Sequence, residues 1–231
     1  MRPSRPSGMR YRLRDNLSHC VVGEHAVFLD VEADRYFTLP DHLQRAFLAF
    51  ASDRHHAAAS PALLASGLLV AAGPGEIPAV RLESPTRSAR EMPATDAARN
   101  LLVIPELLAT TWRCRRQLRR RSLRSVLDSA ARYRDLRCVP RTGAAARASE
   151  QYLLRTARAF LQARRYVPVT PCCLPDSLAC LRFLARRGLY SNIVFGVTYD
   201  PFSAHCWVQA GDIALNETVG MAMAHTIIRV L

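Results

Sequence analysis

The last third of the chain restricts the fold most. Cys173 to Arg187 carries apolar residues at helical spacing (Leu174, Leu178, Leu181, Phe183 and Leu184), and Gly188 ends the run. Two strand-like runs follow, Ile193 to Tyr199 and Cys206 to Gln209, and a third, Ile213 to Leu215, comes after the Ala210-Gly211-Asp212 turn. Helices followed by short strands predict an α+β fold. Upstream, Leu101 to about Arg137 reads as mostly helical, and Glu150 to Arg164 as a second helix presenting Leu153, Leu154, Ala157, Phe160 and Leu161.

The first part of the chain has a different grain. Residues 1–8, rich in Pro, Ser and Arg, read as a flexible tail. From Met9 the pattern is strand-like, with Tyr11, Leu13, Val27, Leu29 and Val31 alternating with other residues. Glu32-Ala33-Asp34 is a turn, and Arg35 to Leu39 starts another strand. Pro40-Asp41 opens a helix whose apolar stripe is Leu43, Phe47, Leu48 and Phe50, and Ser52-Asp53-Arg54 closes it. Ser60-Pro61 has the form of an N-cap followed by proline at the first helical position; that helix stops at Gly67, and Leu68-Leu69-Val70 reads as a strand. The expected organisation is a tail (1–8), a small module (9–82), a linker (83–100) that has no stable period, and a second domain (101–231).

Charge and cysteine usage remove several functions. The net charge is +13, and all 32 cationic side chains are arginine. A chain without lysine has neither a P-loop nor Schiff-base chemistry. The densest basic run, Arg113 to Arg124, reads as a solvated helix face, or as a surface for an acidic partner or peptide. Seven cysteines, none in a CxxC pair, suit a reducing, cytoplasmic setting and no zinc ribbon. The histidines show no metal spacing with a supporting acid or thiol, so no metal is expected. Met1 to Asn16 is basic but lacks the apolar core of a secretory signal, and Ala62 to Ala72 is too short to span a bilayer.

Three residues have the makings of a thiol hydrolase. Cys173 opens a helix with Pro175 in its first turn, where the positive end of the helix dipole lowers a thiol pKa. His205 enters a strand, and Glu217 lies on the next one. A three-residue loop at Ala210-Gly211-Asp212 pairs Gln209 with Ile213, Trp207 with Leu215 and His205 with Glu217, while Asp212 stays in the turn, out of reach. In a two-residue loop Glu217 would face the other way. A thiolate, a base and an orienting carboxylate are what nucleophilic acyl transfer by cysteine needs.

The segments Cys173–Ala179 (Cys-Leu-Pro-Asp-Ser-Leu-Ala), Phe195-Gly196-Val197, Pro201–Val208 (Pro-Phe-Ser-Ala-His-Cys-Trp-Val) and Leu215-Asn216-Glu217 resemble the motifs of the lasso peptide maturation B proteins. These are leader peptidases with a papain/transglutaminase-like cysteine protease domain behind a PqqD-like, winged-helix-like RiPP recognition element. The resemblance implies Cys173 as nucleophile and His205 as base. It puts Glu217 where the family carries aspartate, and Asp176 where the family often has a basic residue. It also implies that the N-terminal module captures the precursor's leader by strand addition, with Tyr36, Phe37 and the Ser60–Val70 segment, Leu64 and Leu68 in particular, as the candidate surface. A partner cyclase similar to asparagine synthetase would use ATP. The chain itself requires no cofactor, and any ATP dependence is assigned to that complex. Two rival readings are a basic winged-helix nucleic-acid-binding protein and a transglutaminase-like acyltransferase that passes the thioester to an amine. The main reading expects neither nucleic acid nor membrane as a partner.

Overall fold

The computed structural model describes residues 11–52, 60–72, 82–92, 101–138 and 144–231. The expected tail, the Asp53-Arg54 helix end and linker residues 93–100 lie outside them. The chain divides into two compact units, Met1–Val80 and Arg81–Leu231. Among the described residues no helix is long and apolar enough to cross a membrane.

In the first unit β1 (Tyr11–Leu13) pairs with the late strand β5 (Leu69–Ala71), while β2 (Leu17–Val22), β3 (His25–Asp30) and β4 (Arg35–Thr38) form an antiparallel meander. Between β3 and β4 the Asp30 carboxylate accepts the Glu32 and Ala33 amides at 3.0 and 3.1 Å, which closes the expected turn. Helices α1 (Asp41–Ser52) and α2 (Pro61–Ala65) supply the other layer. Ser60 caps α2 as its sequence signalled, accepting from the Leu63 amide at 3.3 Å. The core gathers around Phe28, whose ring stacks on Phe37 at 5.2 Å and meets Phe47 edge-on at 4.8 Å. Leu68, expected on a leader-binding surface, is instead in this core at 5% exposure. Leu68 precedes β5, its carbonyl accepting from the Arg14 amide at 3.1 Å, and its side chain packs inward with Leu69 and Leu63, where apolar burial is worth roughly 1.5–3 kcal/mol per side chain.

The second unit is built around one helix. After β6 (Arg87–Ser88) and a 3-10 turn (Leu101–Val103) come α3 (Ile104–Arg120), α4 (Leu123–Asp135), α5 (Ala144–Arg164) and α6 (Cys173–Ala185). The expected single stretch from Leu101 to Arg137 breaks at Arg121-Ser122, because Ser122 turns its hydroxyl to the Ser125 amide (3.3 Å) and starts a new helix. The rest is β7 (Asn192–Thr198), β8 (Ser203–Ala210), β9 (Ile213–Ala214), α7 (Val219–Met223) and β10 (Thr226–Val230). The sheet order is β10-β7-β8-β9-β6. Helix α6 packs against α3, α4, α5 and β8, and every residue from Ser177 to Ala185 is buried. Truncating Leu178, Leu181 or Leu184 to alanine would cost about 2–5 kcal/mol.

Two expectations are corrected here. The range read as linker from residue 83 contains β6, an edge strand parallel to β9. Arg87 binds Asp212 (2.9 and 3.1 Å) and Glu150 (2.6 Å), and the Gln209 side-chain amide donates to the Glu83 carbonyl at 2.6 Å. Such long-range partners leave no local period, so the strand was invisible as a pattern. The β8–β9 loop is also two residues long, not three: Ala210 pairs with Ile213 and Gln209 with Ala214. Gly211 adopts φ 55°, the left-handed conformation that a two-residue hairpin favours.

Candidate active site

Cys173 is the first residue of α6. The extended Cys172 (φ −149°) precedes it, and the Asp176 carboxylate reaches back to accept the Cys172 amide at 3.3 Å. Arg164 holds that carboxylate from α5 at 3.0 Å. The first turn of a helix leaves four amides without intrahelical partners. Here Asp176 takes one and Pro175 has no N–H, which leaves the Cys173 and Leu174 amides without intrahelical partners.

The base comes from β8 and the acid from the segment that follows β9. His205 Nε2 meets Glu217 Oε2 at 2.8 Å, which leaves the other ring nitrogen, Nδ1, for the thiol. The contact exists despite the corrected register. The ladder ends at Ala214; the Leu215 amide still donates to the Val208 carbonyl (2.8 Å), but the Val208 amide donates to the Asn216 side chain (2.6 Å) rather than to backbone. The chain bends there and brings Glu217 back to the His205 side. A side-chain substitution for one ladder bond cancels the inversion expected of a two-residue loop.

Electrostatics favour the charge-separated pair. The Cys206 thiol and then His205 hydrogen-bond the Cys173 sulfur and draw its pKa down to about 4, against the opposing effect of burial. Bonds to Cys173 and then to Glu217 raise His205 to about 9. Glu217 is lowered chiefly by His205, with help from the Thr218 amide (2.9 Å) and Arg90 (3.8 Å). Cys206, buried next to a thiolate, is pushed well up and stays a thiol. Its single proton has two acceptors in reach, Ser177 Oγ at 3.9 Å and the Cys173 sulfur, and the charged one is the stronger.

Several residues around this trio escaped the sequence reading. Ser177, one turn after Cys173, donates to the Cys206 carbonyl (3.2 Å) and accepts from Asn216 Nδ2 (3.1 Å). Ser177 and Asn216 thus tie together the three segments that carry Cys173, His205 and Glu217. A polar residue inside an otherwise apolar helix period was the available signal for Ser177. The indole of Trp207 stacks near His205 at 6.3 Å, and His225 lies 5.4 Å away. Asp212 is elsewhere, held by Arg87 and by Thr86 at 2.6 Å. Among the described residues no group of three His, Cys, Asp or Glu side chains is arranged to hold a metal ion.

Residues 101–230 match the transglutaminase-like superfamily. The chain belongs to that superfamily. No curated protein and no solved structure matches it. A transglutaminase-like domain with this trio is equipped for acyl transfer through a thioester, as a cysteine protease or as an acyltransferase. The four candidates for the other unit are more scattered. Tyr36 and Phe37 are half-buried on β4, Leu64 on α2 is 36% exposed, and Leu68 is in the core.

Proposed function

We propose that this chain is a leader peptidase of lasso peptide biosynthesis, acting in the cytoplasm on a ribosomal precursor. The observation that carries the reading is the 2.8 Å contact between His205 and Glu217 beside a thiol held at about pKa 4. In the proposed reaction the Cys173 thiolate attacks the carbonyl at the leader–core bond, and the Cys173 and Leu174 amides stabilise the oxyanion. His205 protonates the leaving amine of the core. It then takes a proton from water, which hydrolyses the thioester and frees the leader. Glu217 orients the imidazole and stabilises its charged form.

The N-terminal unit is proposed as the recognition element. Strand β4 is an edge of the β2-β3-β4 sheet, with Tyr36 and Phe37 on it, and an open edge accepts an extended peptide by backbone pairing. Leu64 remains a candidate contact; Leu68 supports the unit from within. No disulfide joins any of the seven cysteines. A cyclase similar to asparagine synthetase is the proposed partner, and ATP use belongs to it.

The test is the mass of the products formed from a lasso precursor. Hydrolysis gives a leader with a free carboxylate, and Cys173→Ala abolishes it while leader binding persists. A leader joined to an added amine would assign the domain to acyl transfer instead. Tyr36→Ala should weaken leader binding without changing the pH profile of cleavage. Intact precursor after incubation with the wild-type protein and its cyclase would reject the reading.

A further inference from the structure

Three helices of the transglutaminase-like unit turn arginines into one cleft. Helix α3 contributes Arg113 and its capping residue Arg121, α4 contributes Arg132 and, just past its end, Arg137, and α6 contributes Arg182 and Arg186. The cavity measures about 330 Å³, and none of its lining residues is acidic. Convergence of six guanidinium groups differs from a solvated helix face, in which cations point apart or pair with carboxylates. Arg186 alone of the six shares an ion pair among the described residues, with Glu106 at 3.3 Å.

The floor of the cleft is built. Arg182 is 8% exposed; it donates to Gln117 at 3.2 Å and lies over the Tyr133 ring at 5.3 Å, while its Nε has no partner. Arg137 also lies over the Tyr133 ring, at 4.0 Å. A largely buried cation ringed by others of the same sign, with no carboxylate lining the cleft, favours an anion there.

We propose that this cleft binds a small ligand with clustered negative charge, an oligophosphate group. Its volume falls in the range of small-ligand pockets, roughly 300–1,000 Å³. Planar guanidinium forks match phosphate oxygens in pairs, and six of them exceed what a single carboxylate neutralises. Arg182 and Arg186 stand nine and thirteen residues after Cys173, so at 1.5 Å per residue they lie about 14 and 20 Å along the helix from the thiol. The proposal therefore does not rest on the peptidase reading, and its test needs no turnover.

The test uses calorimetric titration of the full chain with sodium triphosphate, against sodium sulfate at equal ionic strength. One triphosphate should bind per chain, and the triple variant Arg113→Gln, Arg132→Gln, Arg137→Gln should weaken it at least about tenfold. Removing the same charge from α3 positions that do not line the cleft, with Arg116→Gln, Arg119→Gln and Arg120→Gln, should cost less than about a third of what the first triple costs, since these exposed guanidiniums make no direct contact with a ligand in the cleft and are screened by salt. Arg132→Glu alone, on an exposed position, should act in the direction of the first triple. Equal loss in both triples, or binding no tighter than that of sulfate, would overturn the proposal. So would capture of an acidic peptide or a DNA duplex by the cleft with no binding of triphosphate.

Discussion

Glu217 reaches His205 at 2.8 Å without being its partner in the sheet. The β8–β9 ladder stops at Ala214, and Asn216 bends the chain by giving its own side chain to the Val208 amide. The acid is therefore placed by a departure from regular pairing, and its neighbours decide how well it works.

If Glu217 orients the imidazole, Glu217→Gln should lower kcat by something on the order of 10²–10⁴, because the amide favours the wrong tautomer. Glu217→Asp should retain substantial activity, since the chain bend keeps the carboxylate on the same side. Asp212→Asn should leave kcat near the wild-type value yet lower the melting temperature, because Asp212 anchors β6 through Arg87 and Thr86. Steady-state kinetics on a precursor peptide, with thermal melts alongside, check all three.

The thiol and the imidazole set the pH range of the reactive pair. Below about 4 the Cys173 thiolate takes up a proton, and above about 9 His205 gives its proton away. Alkylation of Cys173 by iodoacetamide should rise through the lower limb and then hold. kcat/KM should fall again through the upper limb, where the general acid is lost. Replacing His205 or Cys206 by alanine should move the alkylation midpoint upward, since each stabilises the thiolate. An alkylation midpoint near 9 in the wild-type protein would contradict the geometry.

Ser177 and Asn216 should behave as positioning residues. Asn216→Ala leaves the buried Val208 amide without its acceptor, a cost of about 1–3 kcal/mol, and releases the bend that presents Glu217. Its kcat should fall further than KM rises, and its alkylation profile should broaden or shift. Ser177→Ala should give a smaller loss of the same kind. Urea unfolding separates the stability change from the kinetic one.

Gly196 lies opposite His205 on β7, and a Cβ there would come within 2.7 Å of His225 Cβ and 2.9 Å of the Trp207 ring. Gly196→Ala should destabilise the protein by about 1–3 kcal/mol and move the indole beside the imidazole. The melting temperature and kcat should fall together, with leader affinity unchanged.

Much of the chain could be read locally. The Ser60-Pro61 cap, the turn before Arg35 and the start of α6 at Cys173 rest on residues a few positions apart, so their signals are contained in short stretches. The nucleophile's position at a helix start belongs to this class. The register of the β8–β9 hairpin does not. Loop length there depends on Gly211 in a left-handed conformation and on Asn216 leaving the ladder; a count of residues cannot distinguish the two loops. The His205–Glu217 pairing was thus expected for one reason and is achieved by another.

The amino-acid order by itself determined the α+β composition, the limits of α1, the start of α6 and the placing of a cysteine, a histidine and an acid on successive elements. Tertiary structure decided that residues 87–88 close the sheet edge, that α6 is buried on every side, that Leu68 turns inward, and that arginines from three helices face one another. The physical reason is range. Capping, periodicity and turn chemistry act within a few residues, whereas strand order and helix packing are chosen by the burial energy of side chains far apart in the chain.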